Sequence, residues 1–281
     1  MKGRSRFLTL WLVAGFVFFY GPIASMIVFS FNQSRLATIW GGFSTKWYVA
    51  LWGNRQVMDA ALLSLQIAAV SATIATALGT MAGIALARLG RFRGRLLLAG
   101  MVTAPLVMPE VITGLSLLLL FVALEDTFGW PSGRGALTIT IAHVTFCMAY
   151  VAVVVQSRLA DMDASIEEAA ADLGSRPWQV MVDITLPLLA PAMVSGWLLS
   201  FTLSLDDLVI ATFTSGPGAN TLPMLIFSKV RLGLTPDINA LATIIIVVVA
   251  GFVIASALIL NRRDARKARD SRRAAAEGGS A

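Results

Sequence analysis

The chain has 281 residues, 57% of them hydrophobic and only 14% charged, with a mean hydropathy of +0.78. A soluble domain carries nearer a quarter charged residues, so this composition excludes one and marks an integral membrane protein. The net charge of +6 invites a nucleic-acid reading, which the placement of the basic residues argues against.

Runs of about 20 apolar residues cross a bilayer as helices. Six are predicted, at 7–31, 62–86, 96–124, 136–155, 188–214 and 240–260. The runs are continuous rather than alternating, which rules against barrel strands. The first span opens like a secretory signal but is too long and lacks a small-x-small cleavage site, so it reads as an uncleaved anchor. The outer loop 32–56 holds Trp40, Trp47, Tyr48 and Trp52, an interfacial aromatic belt or a dock for an external partner. A basic inner turn, 89–95, precedes the third span, where Glu110 follows Pro105 and Pro109. The outer turn 125–135 leads to the fourth span. There His143 and Cys147 share a helix face, a packed interface rather than a metal site, since two ligands are too few.

A long inner loop, 158–187, leads into the fifth span with Trp197, Asp206 and Asp207. The outer loop 215–239 opens on Ser215-Gly216-Pro217-Gly218 and has room for a short helix over 222–232. A basic tail, 262–281, follows the sixth span. No internal repeat or separate soluble domain is evident, so residues 1–261 read as one membrane domain. On this topology 16 basic residues lie on the inner side and 6 on the outer. That bias places both termini in the cytoplasm and makes the tail an orientation anchor touching anionic lipid.

The inner loop has its own local logic. Ser165 and Glu168 fit a capping box, and Ala169, Ala170 and Ala171 propagate a helix at little entropic cost. Gly174 stands where a left-handed residue would end it. Pro177 suits the first turn of a second helix, which Pro187 would stop before the next span. The expected product is a compact knob of helix, glycine turn and helix.

Three carboxylates fall inside spans, where charge is costly and therefore a functional candidate. Glu110 sits near mid-membrane by residue count, and Asp206 and Asp207 lie in the outer half. Gly196, Ser200, Ser204, Asp207, Ala211 and Thr214 share one small, polar face, whereas Asp206 points about 100° away among apolar neighbours. Two readings stay open. The acids hydrogen-bond hydroxyls such as Thr113 or Ser204 and fix packing, or they line a path for a cation, with Trp197 adding a cation–π contact. No basic partner is evident inside the spans.

The stretch Glu168-Ala169-Ala170, then Gly174, Ile184, Leu186 and Pro187 resembles the EAA loop of ABC-importer permeases, E-A-A-x3-G-x9-I-x-L-P, at every fixed position. Residues 104–115, 142–146, 204–211 and 215–218 resemble the polyamine branch of that family, the permeases of putrescine importers above all. The resemblance implies an all-α membrane protein of type I ABC-importer permease architecture in the bacterial inner membrane. It implies a transport subunit, not an enzyme, that binds no cofactor. ATP and Mg would be used by a cytoplasmic ATPase dimer. The other partners implied are a second homologous permease and a periplasmic polyamine-binding protein. Consistent with this, none of the four lysines lies in a phosphate-binding G-x-x-x-x-G-K-[ST] loop. Spermidine or another small solute stays open as cargo. A proton-coupled carrier using Glu110 is the rival from another class, although the paired broken helices expected of it are not evident.

Overall fold

The computed structural model describes residues 2–35, 39–232, 236–248 and 250–251. Among these residues the chain is helical, with one isolated backbone bridge between Asn32 and Phe43. The helices are α1 (Lys2–Phe29), α2 (Lys46–Trp52), α3 (Arg55–Arg88), α4 (Arg95–Val107), α5 (Glu110–Phe128) and α6 (Ala136–Ala160). They continue with α7 (Ser165–Asp172), α8 (Pro177–Gln179), a π-helical turn (Val180–Thr185), α9 (Leu186–Asp206), α10 (Val209–Thr214), α11 (Leu222–Leu232) and α12 (Pro236–Val248). Among the described residues five helices are long and apolar enough to cross a membrane: Phe7–Phe29, α3, α5, α6 and the continuous run Pro177–Asp206. α4 and α12 are shorter apolar helices. Residues 252–260 of the sixth predicted span and the basic tail lie outside the described residues.

Residues 55–228 form one compact unit, and a second draws on residues 2–54 and 229–251. In the first, α3 and α6 are the central pair, and α9 packs on both. Small residues permit this. A Cβ added at Gly79 would lie 2.6 Å from Cβ of Val151 and 2.7 Å from the Met148 carbonyl, so the α3 and α6 backbones approach at contact distance. Gly83 meets Val155 in the same way one turn on, a small-xxx-small interface. α10 packs against α5, where Gly114 lies beneath the Phe213 ring. Ala75, Leu117, Phe121, Ala142, Phe146, Cys147 and Ile210 fill the space between these helices.

In the other unit, Asn32 is fully buried and organises the outer loop. Its Oδ1 accepts the amides of Ser34 and Gly41, and its carbonyl accepts the Trp47 indole N–H at 2.7 Å. Trp40 and Trp52 remain exposed, as an aromatic belt requires.

Two spans expected to be continuous are broken. The third divides at Met108–Pro109 into α4 and α5. Pro109 has no N–H for the helix ladder, and its ring forces Met108 out of the helical region, to ψ 137°. The fifth divides at Asp207–Leu208, where Asp207 is extended at ψ 127°. Its inner end differs too: Pro187 does not stop a helix, and the run starts at Pro177 rather than 188. In a regular α-helix the Pro187 ring would strike the carbonyl at 183. The preceding turn widens instead, the Leu186 amide reaching back five residues to Met181.

Candidate functional site

The knob forms from α7, α8 and the π turn at the end of this unit where α3 closes with Arg88. The expected Ser165–Glu168 capping box is absent. Asp163 takes its place, its Oδ1 accepting the Ser165 amide at 2.9 Å while the Glu168 amide pairs with the Ala164 carbonyl. An aspartate just outside a helix holds such an amide with fewer torsions to fix than a glutamate reaching back. Hydrogen bonds from the Ser165 amide and hydroxyl hold the Asp163 carboxyl below its usual range. α7 ends as expected. Gly174 adopts φ +89°, the Ser175 amide bonds the Ala170 carbonyl and the Gly174 amide bonds that of Ala171, a Schellman closure. Pro177 opens α8, and the Gln179 side chain accepts the Arg176 amide at 2.8 Å.

Glu167, not singled out from sequence, fixes the knob to the bundle. Its carboxylate lies 3.1 Å from Nε of Arg88, at the end of α3, and accepts the Thr185 hydroxyl at 2.8 Å. The motif residues therefore divide by task. Ala170 is buried, and Ile184 and Leu186 are half-buried. Glu168, Ala169, Gly174 and Pro187 face outward, beside Leu173 at 88% exposure and Trp178 at 60%. Such apolar exposure on a knob is what a docking surface requires.

Inside the spans the polar face on α9 and α10 is turned into protein: Gly196, Ser200, Ser204, Asp207, Ala211 and Thr214 are all buried. Asp207 has a partner that the sequence analysis did not provide. His143 of α6, wholly enclosed, places Nε2 3.2 Å from Oδ2 of Asp207 and Nδ1 2.6 Å from the Ser204 hydroxyl. Oδ2 of Asp207 also takes the Ala211 amide and so acts as an acceptor; Nε2 donates to it, and Nδ1 is left to accept from the Ser204 hydroxyl. Asp207 also accepts the amides of Ile210 and Ala211, capping the first turn of α10. The usable signal was a lone histidine in one apolar run and an aspartate pair in another, with a serine three residues before the second aspartate.

Glu110 is the first residue of α5, is exposed, and lines a cavity of about 240 Å³ at the break between α4 and α5. Leu106, Pro109, Thr113, Phe146, Tyr150 and Ile210 share that wall. Negative charge in the first turn of a helix is favoured by the aligned peptide dipoles, and Glu110 stands in that turn. Phe146 and Ile210 belong both to this wall and to the surroundings of His143 and Asp207. The Phe146 ring meets that of His143 edge-on at 5.7 Å, and the Ile210 amide binds Asp207. Asp206 is exposed at the end of α9. Trp197 is not brought to this cavity; its indole donates to Thr73 at 3.1 Å and stacks on Phe201 at 5.2 Å.

Residues 79–269 match the family described as binding-protein-dependent transport system inner membrane component. The chain belongs to this family. It is 57% identical to the putrescine transport system permease protein PotI of Escherichia coli strain K12, over 96% of each chain. It is 43% identical to the spermidine/putrescine transport system permease protein PotC of the same strain, over 88% of this chain and 91% of that one. Among solved structures, a bacterial ABC transporter involved in import of the acidic polysaccharide alginate matches with a TM-score of 0.72 at 17% identity, covering 93% and 96% of the two chains. The MetNI methionine ABC transporter matches at 0.58 and 15%, covering 72% and 92%. These two share the fold. This member of the binding-protein-dependent family is thus an all-α, multi-pass inner-membrane permease subunit and not itself an enzyme, and such permeases work with a periplasmic binding protein.

Proposed function

We propose that this chain is the transmembrane subunit of an ATP-driven importer of small polyamines, putrescine first. One observation carries the solute. Similarity to the putrescine permease, 57%, exceeds that to the spermidine/putrescine permease, 43%, and both run through most of the chain. The anionic cavity at Glu110 supports a cationic cargo, and the buried cap at Asp207 holds one of its walls in place. Asp206, exposed at the end of α9, is a further carboxyl group available to the route.

The partners in this reading are a second homologous permease, a cytoplasmic ATPase dimer and a periplasmic polyamine-binding protein. ATP and Mg are used by the ATPase, and no cofactor is held by this chain. The outward residues of the knob, Glu168, Ala169, Leu173, Gly174 and Trp178, receive the ATPase. Glu167, through Arg88 and Thr185, transmits its displacement to α3 and α9. Both termini lie in the cytoplasm, on the side of the knob.

The test is uptake of labelled putrescine into proteoliposomes carrying the assembled importer and its binding protein. Uptake should need internal ATP, should be competed less well by spermidine than by putrescine, and should fall about tenfold in Glu110→Gln, a loss of ~1.4 kcal/mol in the transition state. Import driven by a proton gradient with no ATPase present would overturn the reading in favour of a secondary carrier.

A further inference from the structure

We propose that Tyr150 and Phe146 of α6 form, with Glu110, a transient subsite for one primary ammonium group of the cargo. The proposal rests on the cationic cargo argued above and adds the residues that recognise it.

Three features converge on the 240 Å³ cavity. The first is charge. The Glu110 carboxyl stands at the start of α5, where the peptide dipoles favour negative charge, and among the described residues it has no ion-pair partner. The second is backbone. Pro109 lacks an N–H, so the carbonyl of Pro105, the residue it would have bonded in a continuous helix, loses its donor, and both prolines line the cavity. The end of α4 thus presents the negative pole of its peptide dipoles here. The third is aromatic. Phe146 and Tyr150, one turn apart on α6, line the same cavity with centroids 6.4 Å apart and planes at 89°, making a corner of two π systems.

An ammonium group leaving water needs its hydration replaced from several directions at once. A carboxylate, a freed carbonyl and aromatic rings supply that, and the rings attract the cation without holding it as tightly as a second carboxylate would. Weak binding suits a transport route, because the cargo must leave as readily as it enters. The corner is also held rigid. Phe146 packs edge-on against His143, which is fixed by Ser204 and Asp207. Two other pockets among the described residues lack this combination: the one near the knob has Arg88 in its wall, and the one at Asp59 has no aromatic ring.

The experiment counts putrescine imported per ATP hydrolysed in proteoliposomes holding the complete importer and saturating loaded binding protein. Tyr150→Leu should lower that ratio roughly three- to thirtyfold, the range expected for a desolvated cation–π contact. Tyr150→Phe and Tyr150→Trp, which keep an aromatic face, should recover most of the loss. Phe146→Leu gives a second reading should Tyr150→Leu fail to assemble, and it should also lower the ratio. A ratio in Tyr150→Leu and Phe146→Leu equal to the unmodified importer's would overturn the subsite. So would Tyr150→Phe falling as far as Tyr150→Leu, since a hydroxyl contact or packing would then carry the effect. An unmodified importer that moves another solute and no putrescine would instead overturn the cargo assignment, and the subsite with it.

Discussion

A carboxylate and an imidazole each lose hydration when α6, α9 and α10 close around them, and the bonds joining Ser204, His143 and Asp207 offset that loss. Their interdependence makes truncation costly. Asp207→Ala strands the His143 N–H and the amides of Ile210 and Ala211, and each stranded buried donor costs about 1–3 kcal/mol. Asp207→Asn keeps an acceptor oxygen for the amides, so it should melt well above Asp207→Ala when the two are compared by thermal unfolding in detergent. Coincident melting temperatures would show that the hydrogen bonds do not hold the break together. At this scale the periodicity of small and polar residues on α9 was legible in advance, because i, i+3 and i+4 spacing fixes which residues share a face. That Asp207 is met by His143 was not, since pairing across helices depends on the depth at which α6 and α9 cross.

Among the elements, the breaks differ in how openly they are written. Pro109 signals the one in the third span through its missing N–H and its effect on Met108, although continuous hydropathy masks it. Nothing at 206–209 is a conventional breaker; the break there arises because the Asp207 side chain captures two amides from the following turn. The knob was the most legible element. Alanine propensity, a terminal glycine and a first-turn proline all agree with the structure; the source of the N-terminal cap moved, from Ser165 to Asp163, and Pro187 continues the second helix instead of stopping it. Its weakest point to substitution is Gly174. A Cβ there meets no atom within 4 Å, so any penalty comes from φ +89° and not from crowding. Gly174→Val should therefore insert and accumulate normally, yet misdirect residues 175–179 and lose both transport and copurification with the ATPase. Wild-type copurification and transport in Gly174→Val would remove the knob from the coupling mechanism.

For the whole molecule, span lengths and charge placement act together. α3, at 34 residues, is about 51 Å long, well beyond the ~30 Å hydrocarbon core, so it tilts or projects from the bilayer. Its inner end is Arg88, which holds the knob through Glu167, and the next three basic residues, Arg91, Arg93 and Arg95, follow within seven positions. On the proposed topology, the 16 to 6 division of basic residues puts the densest positive charge on the side where an ATPase would dock. A phosphatase active only in the periplasm, inserted after Gly218, should be active, and the same enzyme fused after Arg273 should be silent. A cytoplasmic reporter at those two positions should give the complementary pattern. If instead the Arg273 fusion is periplasmic, the knob faces away from ATP, and no coupling through Glu167 and Arg88 is possible whatever the geometry around them.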